Sequence, residues 1–308
     1  MDDSTSITEV SCIVKLGGAA ITDKTQLETL NEDVLNTVAA QIDHLIKCGE
    51  RIIIVHGAGS FGHFQAVESG IAHGGKPELD HAAILQGFSQ TRLSVTKLNN
   101  LVVSALVKRG IPAVGVSPMG SWITGNRRIL ADGCNQIAAL LEEGFLPVLH
   151  GDAVFDTCTT FTILGGDPIM TRLCQVFRPK RAAVFMTNVQ GIFDRPPAES
   201  SGSSARLLRK ILVQSSTSSS TIGGGGFEGT FWQGFDADGS IVEGIETSEL
   251  GHDTTGGVRA KVEEAVEAVR AGISVRVVKA GSEAALHACI DTELSREWIG
   301  TEIRLKTE

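Results

Sequence analysis

The chain has 308 residues, 42% hydrophobic and 20% charged, and a formal net charge of -9. That suits one large α/β unit or two smaller domains, and it excludes nucleic acid or an anionic membrane as the main partner, so any anion site must be local. Six scattered cysteines without a CxxC pair argue against a disulfide frame or a cysteine zinc site, and with a polar N-terminus and no apolar run of the ~20 residues that span a bilayer the expectation is a soluble, cytoplasmic protein without a signal peptide or a membrane-spanning segment.

In chain order, short β-branched runs alternate with longer amphipathic stretches, the pattern of βαβ units around a mainly parallel sheet. Residues 10–16 are a predicted strand that ends in Lys15-Leu16-Gly17-Gly18-Ala19-Ala20. Lys-x-Gly-Gly sets a fixed cation beside backbone that can wrap phosphate oxygens, although Walker A spacing is absent. Lys24 follows nine residues after Lys15, and residues 27–47 read as a helix. The apolar strand 51–55 comes next and runs into His56-Gly57-Ala58-Gly59-Ser60-Phe61-Gly62-His63. A glycine-rich loop at the end of a parallel strand is where α/β proteins bind phosphate, and His63 closes that loop.

Further on, helices are predicted over 80–109, 134–143, 167–176 and 258–271, and strands over 113–116, 146–149, 182–186 and 274–278. Residues 153–163 read as a hairpin. Gly165-Gly166-Asp167-Pro168 opens a helix, with Asp167 expected as N-cap and Pro168 at the first helical position. An Asp near two lysines can also order them or bind Mg²⁺. Strand 182–186 enters Thr187-Asn188-Val189-Gln190-Gly191, a loop of the kind that holds a nucleotide base and ribose. Residues 214–226 form a Ser/Gly tract with too little apolar surface to offset its ordering entropy, and are expected to be a disordered insertion. Beyond it, Thr254-Thr255-Gly256-Gly257 opens the last helix, with Lys261 one turn in. A soft division falls near 178–180.

No one of these turns is diagnostic. Several glycine turns, two of them carrying lysines, in an acidic protein ask for a polyphosphate and a charge-neutralised phosphoryl transfer. A nicotinamide dehydrogenase is excluded, because no GxGxxG follows the first strand. A non-catalytic nucleotide sensor stays open, although the pair Lys15 and Lys24 argues against it.

Taken in order, the Lys-Leu-Gly-Gly, His-Gly-Ala-Gly-Ser-Phe-Gly-His, Gly-Gly-Asp, Thr-Asn-Val and Thr-Thr-Gly-Gly motifs resemble the amino acid kinase superfamily over nearly the whole chain. The loop ending at His63 is similar to that of its isopentenyl phosphate kinase branch. The resemblance implies a three-layer αβα sandwich with an open, mainly parallel sheet, forming one domain over 1–308 with an acceptor-binding half (9–178) and a nucleotide-binding half (179–308). It also implies ATP and Mg²⁺ as cofactors, isopentenyl phosphate as acceptor and a homodimer, with no metal held by protein side chains.

Carried over residue by residue, Lys15, Lys24, His63 and Asp167 are the catalytic group. Lys15, Gly17, Gly18, Ala19, Gly59, Asn188, Gly257 and Lys261 fall at ATP positions, and Ala58, Gly59, His63 and Gly166 at acceptor positions. Three residues depart from the family pattern: Ala19 and Gly165 stand where Ser is common, and Asn188 where Asp is frequent. His63 would donate a hydrogen bond to the acceptor phosphate, with of order 2–4 kcal/mol at stake if that pair is buried. The isopentenyl tail needs an apolar pocket, for which helix 80–109 offers Ile84, Phe88, Leu93, Val95, Leu98 and Leu101. Fosfomycin-type phosphonate kinase and uridylate kinase are the competing activities on the same fold.

Overall fold

The strands expected before the glycine turns form in a computed structural model that describes residues 9–23, 25–76, 79–195, 205–214, 225–227, 230–242 and 257–306. The chain divides into two compact units, Met1–Lys180 and Arg181–Glu308.

In the first unit, β1 (Cys12–Leu16) leads through a short α1 (Gly18–Ile21) and α2 (Glu32–Lys47) to β2 (Ile52–His56). α2 starts five residues later than its apolar pattern suggested, because Asn31 caps it by accepting from the Val34 N–H at 3.3 Å. The preceding residues instead close a loop through a bridge between Thr22 and Leu30. α3 (His63–Ser69) and the long α4 (His81–Val107) follow. Asp80 caps α4 through the Ala83 N–H at 2.7 Å.

The chain continues through β3 (Ala113–Val116), the small strands β4 (Ile123–Gly125) and β5 (Arg128–Ala131), and α5 (Cys134–Glu142). It then runs through β6 (Leu146–His150), the hairpin β7 (Asp152–Asp156) and β8 (Thr160–Leu164), and α6 (Gly166–Phe177). Strands β1, β2, β6 and β3 lie side by side in that order, all parallel. Right-handed crossovers put α2 and α4, which touch each other, on one face. The step back from β3 to β6 sends α5 to the other face. Ile13, Ile53, Ile54 and Val148 are fully buried between these layers, as strands covered on both faces require.

The second unit starts with β9 (Ala182–Thr187), β10 (Ile192–Phe193), β11 (Leu207–Leu208) and β12 (Lys210–Val213). It continues with β13 (Gly225–Phe227), β14 (Thr230–Phe235), α7 (Gly257–Arg270), β15 (Val275–Lys279), α8 (Glu283–Ile290) and β16 (Thr301–Leu305). β9 pairs with β15 and β12 with β16 in parallel, while β15–β16, β12–β14 and β13–β14 are antiparallel. The Ser/Gly tract needs one correction. Gly225 and Gly226, expected in a disordered insertion, form β13, where backbone pairing to Trp232 and Phe231 supplies order that side chains could not. Residues 215–224 lie outside the described part.

Candidate active site

Three neighbouring strands end level, and each is followed by glycine. Leu16 is the register partner of His56, and His56 that of His150; the next residues are Gly17, Gly57 and Gly151. The loops are stitched stepwise, since the Gly57 N–H donates to the Leu16 carbonyl at 2.9 Å and the Gly151 N–H to that of His56 at 3.0 Å. Ligands of open α/β sheets bind at such carboxyl ends.

The first two loops touch at glycines. A Cβ on Gly18 would lie 2.3 Å from the Gly59 nitrogen, and a Cβ on Gly59, whose φ is +54°, would lie 2.2 Å from Thr22 Oγ1. No other residue fits this seam. Ala58 leads into a tight turn at Gly59–Phe61, and its Cβ would lie 3.3 Å from a Cβ on Gly62.

Lys15 rises from β1 beside Gly166, where a Cβ would lie 3.5 Å from Lys15 Cε, and its Nζ is ion-paired with Asp167 Oδ1. Both side chains are largely enclosed, at 13% and 28% exposed. The expected capping role of Asp167 is wrong. Gly165 is the N-cap of α6 and makes no side-chain capping bond, while Asp167 and Pro168 are the second and third helical residues. A carboxylate gains more from a fixed ammonium than from one backbone N–H, and in the first turn it still faces the positive helix end. Pro is tolerated there because first-turn N–H groups have no intrahelical partner.

His63 is the first residue of α3, after an N-cap Gly62 without a side-chain bond, and its ring meets Phe64 edge-on with centroids 6.3 Å apart. It is exposed, so a buried-pair figure overstates its worth. A hydrogen bond to a charged group, about 1.5–3 kcal/mol, is the better scale.

Beneath the loops lie two groups with no sequence-based expectation. His56 and His150 are fully buried and stacked, with ring centroids 5.6 Å apart. Each places Nδ1 3.0 Å from the carbonyl of the glycine that follows it. A carbonyl only accepts, so each Nδ1 carries the proton. His56 Nε2 then accepts from Asn99 Nδ2 at 3.1 Å, and Asn99 also donates to the Val148 carbonyl. Burial first, and repulsion from His150 second, push His56 down to about 3. Burial lowers His150 as well, against the nearby Asp152. Both rings stay neutral. The repeated His-Gly after predicted strands was the one signal available for them.

Asp152 is itself buried and neutralised by α4. Arg92 Nε lies 3.3 Å from both of its oxygens, and Ser117 Oγ donates to it at 2.8 Å. Nearby, Phe88 meets Phe161 and Phe155 with centroids 4.8 and 6.2 Å apart, and Ile84 and Phe88 pack on Ile71, Ala153 and Phe161. The six tail candidates on α4 are thereby sorted. Val95 and Leu98 are core at 1% and 0% exposed, Leu93 and Leu101 face outward at 73% and 37%, and Ile84 and Phe88 remain.

Lys15, Gly17, Gly18, Ala19, Ala58, Gly59, His63, Gly166 and Asp167 all belong to the first unit; Lys24 lies outside the described residues. In the second unit, Asn188 is exposed just after β9, Gly257 begins α7, and Lys261 lies on α7 one turn on. Among the described residues, no group of three His, Cys, Asp or Glu could hold a metal ion, and no helix is long and apolar enough to cross a membrane.

Comparison with known proteins gives a consistent answer. The model of the amino acid kinase family matches residues 11–230. The isopentenyl phosphate kinase of Arabidopsis thaliana is 35% identical, with 96% of each chain covered. That of Methanothermobacter thermautotrophicus is 30% identical, over 95% of this chain and 96% of the relative. A crystallographic isopentenyl phosphate kinase superposes with a TM-score of 0.72 at 27% identity, covering 95% of this chain and 99% of the other.

Proposed function

The chain belongs to the amino acid kinase family and, within it, to the isopentenyl phosphate kinases, and from that premise we propose that it transfers the γ-phosphoryl group of ATP to isopentenyl phosphate, giving isopentenyl diphosphate and ADP. The observation that carries this reading is Lys15, held by Asp167 beside a seam of glycines, with His63 heading the helix beyond the same loop.

The acceptor is a phosphate monoester, largely dianionic at neutral pH, and needs no strong general base. One of its oxygens attacks the γ-phosphorus while the bond to the β,γ-bridging oxygen breaks and its electron pair leaves with ADP. The difficulty is bringing two anions together, so positioning and electrostatics do most of the catalysis. Lys15 neutralises charge on the transferred group, and Asp167 fixes the ammonium position. Lys24 stabilises the transition state as a second cation. Backbone at Gly17, Gly18, Ala19 and Gly59 receives phosphate oxygens, and Asn188, Gly257 and Lys261 serve the nucleotide. His63, Ala58 and Gly166 hold the acceptor phosphate, with Ile84, Phe88, Phe155 and Phe161 around its apolar tail.

With Asp167 engaged by Lys15 and no carboxylate cluster among the described residues, Mg²⁺ fits this reading as a ligand of the nucleotide phosphates, where it would neutralise their charge. The active form is a cytoplasmic homodimer. The test is an assay with Mg-ATP and a panel of isopentenyl phosphate, dimethylallyl phosphate, geranyl phosphate, fosfomycin and UMP. Preference for isopentenyl phosphate is expected, and preference for fosfomycin or UMP would refute the reading.

A further inference from the structure

The serine of the loop ending at His63 is turned away from solvent. Ser60 is 1% exposed, and its backbone and hydroxyl point into the protein. Its N–H donates to Thr22 Oγ1 at 3.1 Å, and its carbonyl accepts from the Glu28 N–H at 3.1 Å. Its hydroxyl accepts from the Thr29 N–H and donates to the Thr29 carbonyl, both at 3.3 Å. Thr22 is 3% exposed and completes the link, because its hydroxyl donates to the Gly18 carbonyl at 2.8 Å while accepting from Ser60.

The loop between Thr22 and Leu30 is therefore closed at its base by the bridge between those residues. The Asp23 N–H donating to the Thr29 carbonyl at 2.9 Å adds to that closure. Along its flank the loop is tied to Ser60. On its outer side Glu28, at φ +52°, is pinned by Lys97 Nζ at 2.5 Å, and that ammonium also lies 5.9 Å from the Phe61 ring centroid. Three segments meet at one hydroxyl: the first glycine turn, the loop that carries Lys24, and the loop that ends at His63.

We infer that Thr22 and Ser60 are positioning residues that hold the loop between Thr22 and Leu30 in register with the loop ending at His63, so that the turnover Lys24 assists depends on both hydroxyls. The inference rests on the proposed kinase reading. It predicts that the hydroxyls matter for turnover and not for binding, because a displaced catalytic group costs rate more than affinity.

The test is kinetic. Thr22→Val keeps the shape and removes the hydroxyl; it should lower kcat at least about tenfold while the KM values for ATP and isopentenyl phosphate stay within about threefold. Thr22→Ser should restore kcat to within about threefold of wild type. Ser60→Ala, a milder change, should lower kcat in the same sense, which covers the case in which Thr22→Val does not fold. In a Lys24→Ala background both losses should vanish, because groups that act through one another are not additive. Equal fold-losses in the Lys24→Ala and wild-type backgrounds, or an effect confined to KM, would overturn the inference. Wild-type turnover by Lys24→Ala itself would instead show that the Lys24 assignment is wrong, and the inference would fall with it.

Discussion

Acid should attack this protein at the stacked pair beneath its loops, and His56→Gln isolates the effect. In the folded chain His56 is held down at about 3 by burial and by His150, against an ordinary value of 6.5. Between those values the unfolded chain binds one more proton than the folded one at this position. Stability therefore rises with pH across that window and is lost as pH falls through it. One full proton difference is worth about 1.4 kcal/mol per pH unit, so going from pH 7 to pH 5 removes about 2 kcal/mol through His56 alone. His150, shifted the same way, adds to it. Urea unfolding of wild type and His56→Gln at pH 5, 6 and 7 measures this directly. The variant should be less stable at pH 7, since Asn99 and the Gly57 carbonyl lose their partner, but it should lose about 2 kcal/mol less on acidification. Carboxylates such as Asp156 titrate equally in both proteins and cancel. Identical pH slopes would refute the claim that the ring is buried as a neutral group.

Three further outcomes follow from the geometry. Gly59→Ala puts a Cβ 2.2 Å from Thr22 Oγ1 and 2.8 Å from the Gly18 carbonyl at φ +54°; strain and overpacking together should cost about 2–5 kcal/mol and abolish turnover, as thermal melts and the kinase assay would report. Asp167→Asn keeps the shape but releases Lys15 from its ion pair, so kcat should fall about 10–100-fold with smaller changes in KM. Phe88→Ala opens the aromatic cluster with Phe155 and Phe161; relative kcat/KM for geranyl over isopentenyl phosphate should rise about tenfold, and an unchanged ratio would remove Phe88 from the tail site.

What was legible in the sequence is what is written locally. The runs before Gly17 and Gly57 are apolar over a strand's length, and glycines at their ends announce the loops whatever the rest of the chain does. Asp80 and the long pattern behind it marked α4 to within two residues. The site was harder where it depends on distant partners. Lys15 and Asp167 are 152 residues apart, and a local rule read Asp167 as a cap because nothing nearby outbids a backbone N–H. Leu27 looked like the start of α2, but residues 25–30 are drawn into the loop tied to Ser60. Ser60 itself read as part of a phosphate loop, whereas its hydroxyl turns inward. Gly225 and Gly226 read as disorder because their strand is specified by backbone pairing to β14. Two histidines at strand ends carry no periodic signature, and only the parallel register of β2 and β6 brings them into a stack.

The central claim is that His63 grips the phosphate that is about to be phosphorylated. Steady-state kinetics of His63→Ala against varied isopentenyl phosphate, at saturating Mg-ATP, test it most directly. With an exposed imidazole donating to a charged phosphate, kcat/KM for the acceptor should fall about 10–150-fold, corresponding to about 1.5–3 kcal/mol, with the KM for ATP unchanged. Unchanged kcat/KM for isopentenyl phosphate, or a loss that appears only in the KM for ATP, would contradict the account.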